Sequence, residues 1–151
     1  MEHVPVLKND VQKYLDLKKG DVVVDATLGL GGHALEILNA LGKKGRLIAF
    51  EQDKRNLDEA KKRLKNYEEQ ITYIHDNFRY LKSRITGELE AKPGSTKVDA
   101  ILFDLGLSSP HVDEAERGFS FLKEGDLDMR FDRRNVLTAN KVINNYREED
   151  L

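Results

Sequence analysis

The sequence predicts an α/β protein built on a doubly wound, parallel β-sheet. Up to Gly106, short β-branched runs alternate with longer segments of helical periodicity. The first of these runs contains three consecutive valines and is apolar without alternation, which is typical of a strand buried on both faces. A glycine cluster follows it and opens a helix-like segment, in the stretch VVVDATLGLGGHALEIL at residues 22–38. This order of strand, glycine turn and helix is the repeating unit of a parallel sheet.

The strands and helices of this sheet can be placed along the chain up to Gly106. We expect strands at 21–25 and within RLIAFEQD, QITYIHDNF and VDAILFDLG, which begin at Arg46, Gln70 and Val98. Helices are expected between them, in HALEILNALGKKG, KRNLDEAKKRLKNYEE and LKSRITGEL. The segment AKPGSTK contains proline and glycine and is expected to be a loop. Right-handed crossovers with the first strand central then predict the sheet order 3-2-1-4.

The segment after Gly106 has a different character and contains no convincing strand. Its pattern predicts loops followed by one or two helices, of which Asn135 to Tyr146 is the best candidate. We therefore expect two domains, at 1–110 and 111–151. The fourth strand would leave an apolar edge, which is prone to pairing. We expect the tail, a partner chain or a second copy in a homodimer to cover this edge, unless the chain is a piece of something longer.

Composition limits the class of protein. The chain has 151 residues and a formal net charge of −2, so it is no polycation, and nucleic-acid binding would need a local patch or shape. It has no cysteine, which excludes disulfides and thiolate chemistry. No metal site is expected, because His3, His75 and His111 are scattered. Without a membrane-length apolar run or a signal-peptide core, the protein is expected to be cytoplasmic.

The glycine cluster predicts a ligand site at the carboxyl ends of the strands. Gly29, Gly31 and Ala34 match G-x-G-x-x-G/A, where bare backbone permits a tight turn and close approach of a ligand. Glu51 ends the second strand, where a carboxylate can accept hydrogen bonds from both hydroxyls of a ribose. Each feature alone also fits an ordinary turn or an ordinary strand end. Together they fit either a dinucleotide or S-adenosylmethionine.

Two later features favour S-adenosylmethionine. Asp76, Asn77 and Phe78 follow the third strand, where an adenine could meet a polar edge and an aromatic face. Asp104 closes the fourth strand, beside the expected position of a methionine moiety. Acids attract a ligand that carries an ammonium and a sulfonium, whereas they repel a pyrophosphate.

Several motifs together resemble one family. DLGLSSPHVDEAERGFSF and GDLDMRFD, with HVPVL near the amino terminus and DATLGLGGH in the glycine loop, are similar to motifs of the MraW-type methyltransferases. The resemblance runs from His3 nearly to Leu151. It implies a Rossmann-like class I methyltransferase fold and S-adenosylmethionine-dependent methylation of the exocyclic N4 of a cytidine in small-subunit ribosomal RNA. It also implies a chain truncated before a helical insertion and later strands, with 111–151 beginning the substrate-recognition region.

The resemblance carries the family's cofactor positions onto this sequence. Three of them, Gly31, Gly32 and His33, lie in the glycine loop. Glu51, Phe78 and Asp104 follow the second, third and fourth strands, and His111 lies further along the chain. Two of them depart from the usual residue. Glu51 replaces aspartate, which changes reach but not charge. His111 replaces glutamine, and its imidazole can also donate a hydrogen bond.

Methylation of a cytosine amine needs in-line placement of a poor nucleophile and acceptors for its N–H hydrogens. Asp104, as the candidate catalytic residue, and the backbone carbonyls of DLGLSSP are the candidates for that acceptor role, although Asp104 could serve the cofactor alone. The base must be unstacked to enter the site. The candidate substrate contacts are Ser108, Ser109, Pro110, Arg117, Phe119, Phe121 and Arg130. The two phenylalanines could stack on the base or belong to a core. The two arginines could contact phosphates or pair with nearby acids.

Two other functions remain open. The chain could be a binding module that keeps the cofactor fold, without catalysis, and binds S-adenosylmethionine, RNA or a ribosomal partner. A nicotinamide-dependent oxidoreductase would explain the glycine pattern alone, but it has no use for the motifs DLGLSSP and ERGFSF after the fourth strand.

Overall fold

The computed structural model describes residues 7–90 and 97–151. The chain divides into two compact units, Met1–Leu105 and Gly106–Leu151. In chain order, the helices and strands of the first unit are α1 (Lys8–Leu15), β1 (Val22–Asp25), α2 (Gly32–Leu41), β2 (Arg46–Phe50), α3 (Lys54–Arg63), β3 (Ile71–Ile74), α4 (Leu81–Glu90) and β4 (Ala100–Leu102).

The four strands form one parallel sheet in the order β3-β2-β1-β4. Val24 of β1 lies opposite Ile48 of β2 on one side and Ile101 of β4 on the other. All four residues of β1 are buried, as its continuous apolar run predicts. The predicted strand order and the parallel, Rossmann-like architecture are therefore confirmed.

Helices cover both faces of this sheet. On one face, Ile37 and Leu38 of α2 pack with the strand residue Leu47. On the other face, Ile85 of α4 packs with Val24 and other residues of the central strands. Because helices cover both faces of the sheet, a ligand would approach it at the ends of its strands. The candidate site lies at the carboxyl ends.

Three details of the first unit differ from the sequence prediction. Helix α1 was not expected. Helix α3 ends at Arg63 rather than continuing to Glu69, and after the fully buried Leu64 the chain continues as a short 3-10 segment with a kink at Tyr67. Strand β4 is only three residues long. The predicted loop AKPGSTK lies largely outside the described residues, as does the HVPVL motif up to residue 6.

The second unit contains α5 (Ser109–Asp113) and α6 (Ala139–Asn145), together with two short 3-10 segments. No strand occurs in it, as expected. The predicted helix start at Asn135 is wrong. Helix α6 begins after Thr138, whose hydroxyl accepts a hydrogen bond from the Lys141 N–H, and the Asn135 carbonyl is instead held at 2.6 Å by the guanidinium of Arg130.

None of the helices within the described ranges is long and apolar enough to cross a membrane.

Candidate functional site: the carboxyl end of the sheet

Three carboxylates meet where β1, β2 and β4 end. Asp25 is the last residue of β1, Glu51 follows β2, and Asp104 lies two residues beyond β4. Parallel strands deliver their carboxyl ends to the same edge of the sheet, so residues far apart in sequence come together here. The negative charges of Glu51 and Asp104 both raise the pKa of Asp25, as neighbouring carboxylates do.

The glycine loop connects β1 to α2 at this edge. Gly31 caps α2 with a φ of 78°, in the left-handed region that glycine adopts without strain. A Cβ placed on Gly31 would lie 3.1 Å from Cδ1 of Leu64, tighter than ordinary contact. A side chain at Gly31 is therefore disfavoured both by the backbone conformation and by close packing against Leu64. No side chain caps the first N–H groups of α2.

The side chain of Glu51 holds this loop by a hydrogen bond. Its Oε2 accepts a hydrogen bond of 2.8 Å from the backbone N–H of Gly29, and its Oε1 accepts one of 2.7 Å from the N–H of Asp53. Glu51 is buried. Each carboxylate oxygen has a further lone pair, so the same group can hold the loop and still accept from a ligand hydroxyl.

Thr27 joins the ends of β1 and β4. Its backbone N–H donates to Oδ1 of Asp25 at 3.0 Å, and its hydroxyl accepts from the backbone N–H of Asp104 at 2.7 Å. Thr27 therefore links the buried acid, through its backbone, to the backbone of Asp104, through its side chain. Neither Thr27 nor Asp25 was singled out from the sequence.

Asp25 is a buried acid whose pKa is strongly raised. It is 1% exposed, and its Oδ2 has no hydrogen-bond partner in the part of the chain that the structure describes. Burial raises the pKa of Asp25 to about 7, the backbone hydrogen bond from Thr27 opposes this, and Glu51 and Asp104 add to it. A signal was present in the sequence: an acid that ends a run buried on both faces must itself be buried.

The remaining predicted cofactor residues of the first unit lie around this cluster. The buried His33, in the first turn of α2, places its Nε2 3.7 Å from Oδ2 of Asp104, within ion-pair distance when the imidazole is protonated. Phe78 packs edge-to-face on Phe103, the residue before Asp104, with ring centroids 5.6 Å apart. Gly32 begins α2.

The polar edge predicted for adenine is engaged within the protein. Asp76 accepts from Nε and Nη2 of Arg84 on α4, at 3.0 and 2.7 Å. Asn77 donates to the side chain of Gln52 at 2.8 Å. The Asn77–Gln52 bond ties the segment after β3 to the segment after β2, and the Asp76–Arg84 bonds tie it to α4.

The second unit places His111 in its own interior. His111 is buried and closes a capping box at the start of α5, where its Nδ1 accepts from the Ser108 N–H at 3.1 Å. Its ring packs against Phe119 and Phe131, at centroid distances of 5.3 and 4.7 Å. Ser108 is thereby the cap of α5, and Ser109 and Pro110 form its first turn.

The two candidate phosphate-binding arginines are tied to other groups of the unit. Arg117 is buried, and its Nη2 donates to the carbonyls of Arg130 and Phe131 at 3.0 and 3.3 Å. Arg130 pairs with Asp128 through two bonds of 2.7 Å, and these hydrogen bonds hold the pKa of Asp128 at about 2. Phe121, by contrast, is 96% exposed.

The chemistry of the first unit suits a cationic ligand that carries a ribose. Its strand ends offer three acids, one of them with an oxygen that is buried and has no partner in the described residues, beside a glycine loop that carries no side chains at Gly29, Gly31 and Gly32. A ligand with a pyrophosphate would face repulsion from the same acids.

Comparison with known proteins agrees with this chemistry. The sequence model of the MraW methylase family matches residues 1–151, which confirms the family resemblance predicted from the motifs. Among solved structures, a protein from Clostridium thermocellum described as an rRNA methylase is 23% identical, with a TM-score of 0.56 over 70% of this chain and 54% of that one. This chain therefore spans about half the length of that methylase.

A second solved structure is NSun6 from Pyrococcus horikoshii, 22% identical, with a TM-score of 0.53 over 67% of this chain and 24% of that one. At these identities the likeness concerns the fold, and it agrees with the predicted class I methyltransferase architecture.

Proposed function

The chain belongs to the MraW methylase family, and we propose that it methylates the exocyclic N4 amine of a cytidine in small-subunit ribosomal RNA. The observation that carries the proposal is the meeting of Asp25, Glu51 and Asp104 beside the glycine loop. A methylase of this family uses S-adenosylmethionine, whose ammonium and sulfonium are positive. Membership also sets aside the nicotinamide-dependent oxidoreductase. The composition, without cysteine, fits the reducing cytoplasm as the place of action.

The cofactor would be held by residues from the glycine loop and the strand ends. Gly31, Gly32 and His33 would line its methionine end, with Glu51 at the ribose and Phe78 beside the adenine. Bound S-adenosylmethionine supplies an electrophilic methyl group on a positively charged sulfur. His111 lies in the interior of the second unit, bonded to Ser108; we therefore propose that it acts by shaping the segment after β4 rather than through direct cofactor contact.

Asp104 would accept an N–H hydrogen of the cytosine amine. Its side chain is about half exposed, at 54%, while its backbone is held by Thr27. An acceptor fixed by backbone and yet open to solvent can orient an incoming amine, and positioning of this kind is the main contribution required for a poor nucleophile. His33, at 3.7 Å, would keep the carboxylate in place.

The segment 106–151 would begin the RNA-recognition region. Phe121 offers an aromatic ring to solvent and is our candidate for stacking on an unpaired base. Phe119, Arg117 and Arg130 would act indirectly, by building the unit that presents Phe121, because their contacts lie within that unit. Ser108, Ser109 and Pro110 would present backbone groups to the substrate at the start of α5.

A second candidate function is cofactor or RNA binding without catalysis, in which this chain needs a partner or a second copy. The exposed apolar residues at the β4 edge favour it: Ile101 is 39% exposed and Phe103 is 49% exposed. A partner covering this edge would extend the sheet beyond β4.

Calorimetric titration of the 151-residue chain with S-adenosylmethionine, using NAD as a control, tests the cofactor site. We expect micromolar binding, about −8 kcal/mol, for S-adenosylmethionine and none for NAD. The second step is incubation with small-subunit ribosomal RNA and labelled cofactor, followed by nucleoside mass spectrometry. Methylation at cytidine N4 supports the enzyme. Binding of the cofactor without methylation supports the binding module, and binding of NAD alone contradicts both.

A further inference from the structure

Asp25 places an unpartnered oxygen in the interior of the candidate site. Its Oδ1 accepts from the Thr27 N–H, whereas its Oδ2 has no partner among residues 7–90 and 97–151. A buried carboxylate oxygen without a donor is costly to keep charged, and folded proteins rarely leave such an atom unsatisfied. Helix and sheet packing do not require an acid at this position, since the neighbouring β1 residues are all valine.

The charges that face Asp25 are of its own sign. Glu51 at the end of β2 and Asp104 beyond β4 both disfavour its ionised form, and the nearest basic group of α2, His33, lies against Asp104. With its pKa raised to about 7, Asp25 of the ligand-free protein is mostly protonated below pH 7 and about half protonated at pH 7. A positive charge brought into the cluster would reverse this preference.

We propose that Asp25 is the residue by which this site distinguishes S-adenosylmethionine, whose sulfur is positively charged, from S-adenosylhomocysteine, whose sulfur is neutral. Asp25 releases a proton when S-adenosylmethionine binds and regains one after methyl transfer. The inference rests on the proposed cofactor site and concerns its selectivity. Asp25 is thus a specificity-determining residue, and Thr27, which holds Oδ1, is a positioning residue.

The proton balance is simple. On binding, the Asp25 carboxyl loses one proton to solvent and becomes the counter-ion of the cofactor. In methyl transfer, the nitrogen lone pair would form the nitrogen–carbon bond, the sulfur would keep the electron pair of the broken sulfur–carbon bond, and the amine would release one N–H proton to solvent. The sulfur is then neutral, so the Asp25 carboxylate loses its counter-ion and takes up one proton from solvent. No oxidant or reductant is needed.

This coupling predicts a pH-dependent preference. Below pH 7, binding of S-adenosylmethionine must displace the proton, so its affinity should rise up to about tenfold per pH unit between pH 5.5 and 7. The affinity for S-adenosylhomocysteine should stay flat over the same range. The ratio of the two affinities therefore grows with pH and levels off above the pKa of Asp25, about 7.

The test is calorimetric titration of the full chain at pH 6, in buffers of different ionisation enthalpy, which counts protons released per ligand bound. At pH 6 the amino groups of both ligands are protonated and cancel. We expect about one proton released for S-adenosylmethionine and none for S-adenosylhomocysteine. Asp25→Asn should abolish the release and reduce the preference. Asp99→Asn is the matched control, because Asp99 bonds Val22 at the opposite end of the same strand pair and should behave as wild type.

A second readout keeps the test independent of whether Asp25→Asn folds. In the infrared spectrum of the wild-type chain, the carbonyl band of a protonated carboxyl should vanish on addition of S-adenosylmethionine and persist with S-adenosylhomocysteine. Binding with no proton release and no loss of this band overturns the inference and leaves the proposed function intact. Equal proton release from Asp25→Asn also overturns it. No binding of either ligand overturns the proposed function and the inference together.

Discussion

The backbone N–H of Gly29 donates a 2.8 Å hydrogen bond to Oε2 of Glu51, 22 residues away along the chain. The acid at the end of β2 thus holds the glycine loop that follows β1. Since Oε1 accepts from the Asp53 N–H at 2.7 Å, the same carboxylate also fixes the start of α3. The carboxylate that is proposed to bind the ribose is therefore the same group that holds the glycine loop and the start of α3.

Removing this carboxylate should affect stability and binding together. In Glu51→Ala the N–H groups of Gly29 and Asp53 lose their acceptor, which should lower the free energy of unfolding by about 1–3 kcal/mol. The affinity for S-adenosylmethionine should fall as well. Glu51→Asp keeps the charge and should lose less of both. Denaturant unfolding and calorimetric titration measure the two effects, and an Ala variant as stable as wild type would contradict the structural role.

The glycine loop should not tolerate a side chain at Gly31. Gly31→Ala places a left-handed alanine with its Cβ 3.1 Å from Leu64, and we expect a loss of about 1–2 kcal/mol in unfolding free energy. Gly87→Ala is the matched control, because a Cβ there meets open space within α4, and it should stabilise by about 0.5–1 kcal/mol. Similar effects of the two substitutions, in denaturant melts, would refute the assignment.

Asp25 should make stability fall with rising pH. Its pKa is raised from 3.8 to about 7 in the folded chain, so between these values the folded state binds the proton that the unfolded state has lost. Stability therefore decreases from about pH 4 to pH 7, by at most about 1.4 kcal/mol per pH unit, and this contribution is constant above pH 7.

Asp25→Asn should remove that dependence. Relative to wild type, the variant should gain stability as pH rises from 5 to 7, measured by denaturant unfolding at each pH. Asp99→Asn should follow the wild-type curve. Parallel curves for wild type and Asp25→Asn would mean that Asp25 is not protonated in the folded chain.

Alanine substitutions of Phe119 and Phe121 should have different effects, the first on stability and the second on RNA binding. Phe119 packs against His111 and Phe131, so Phe119→Ala should lower unfolding stability by about 2–4 kcal/mol. Phe121 is 96% exposed, so Phe121→Ala should leave stability unchanged and weaken binding of single-stranded RNA, by about 1–3 kcal/mol if its ring stacks on a base. Unchanged RNA binding by Phe121→Ala would exclude this residue as the stacking platform.

The β4 edge should make the isolated chain self-associate. Within the described ranges β4 pairs with β1 alone, and Ile101, the middle residue of β4, is 39% exposed. Ile101→Lys should reduce the apparent mass in light scattering, whereas Leu151→Lys, at a more exposed apolar position (70%) in the other unit, should not. A monodisperse wild-type monomer at high concentration would contradict this expectation.

The strand order could be predicted from the sequence alone, and the ligand site at the strand ends stays a prediction. The β1 run and the glycine cluster are local patterns, and the handedness of crossovers converts them into a sheet with few alternatives. The motifs around DLGLSSP and ERGFSF sufficed to indicate the family. The start of α6 was misplaced because capping by Thr138 and the hold of Arg130 on Asn135 override helical periodicity.

What tertiary structure decided is which side chains are available at the site. Composition could not tell that Arg117 and His111 are buried in the second unit, or that Phe121 is exposed. Nor could it show that Asp25, Glu51 and Asp104 share one electrostatic environment, since they come from three strands separated in sequence. Burial and the mutual repulsion of charges depend on distances through space, and folding sets those distances after local pattern has chosen the elements.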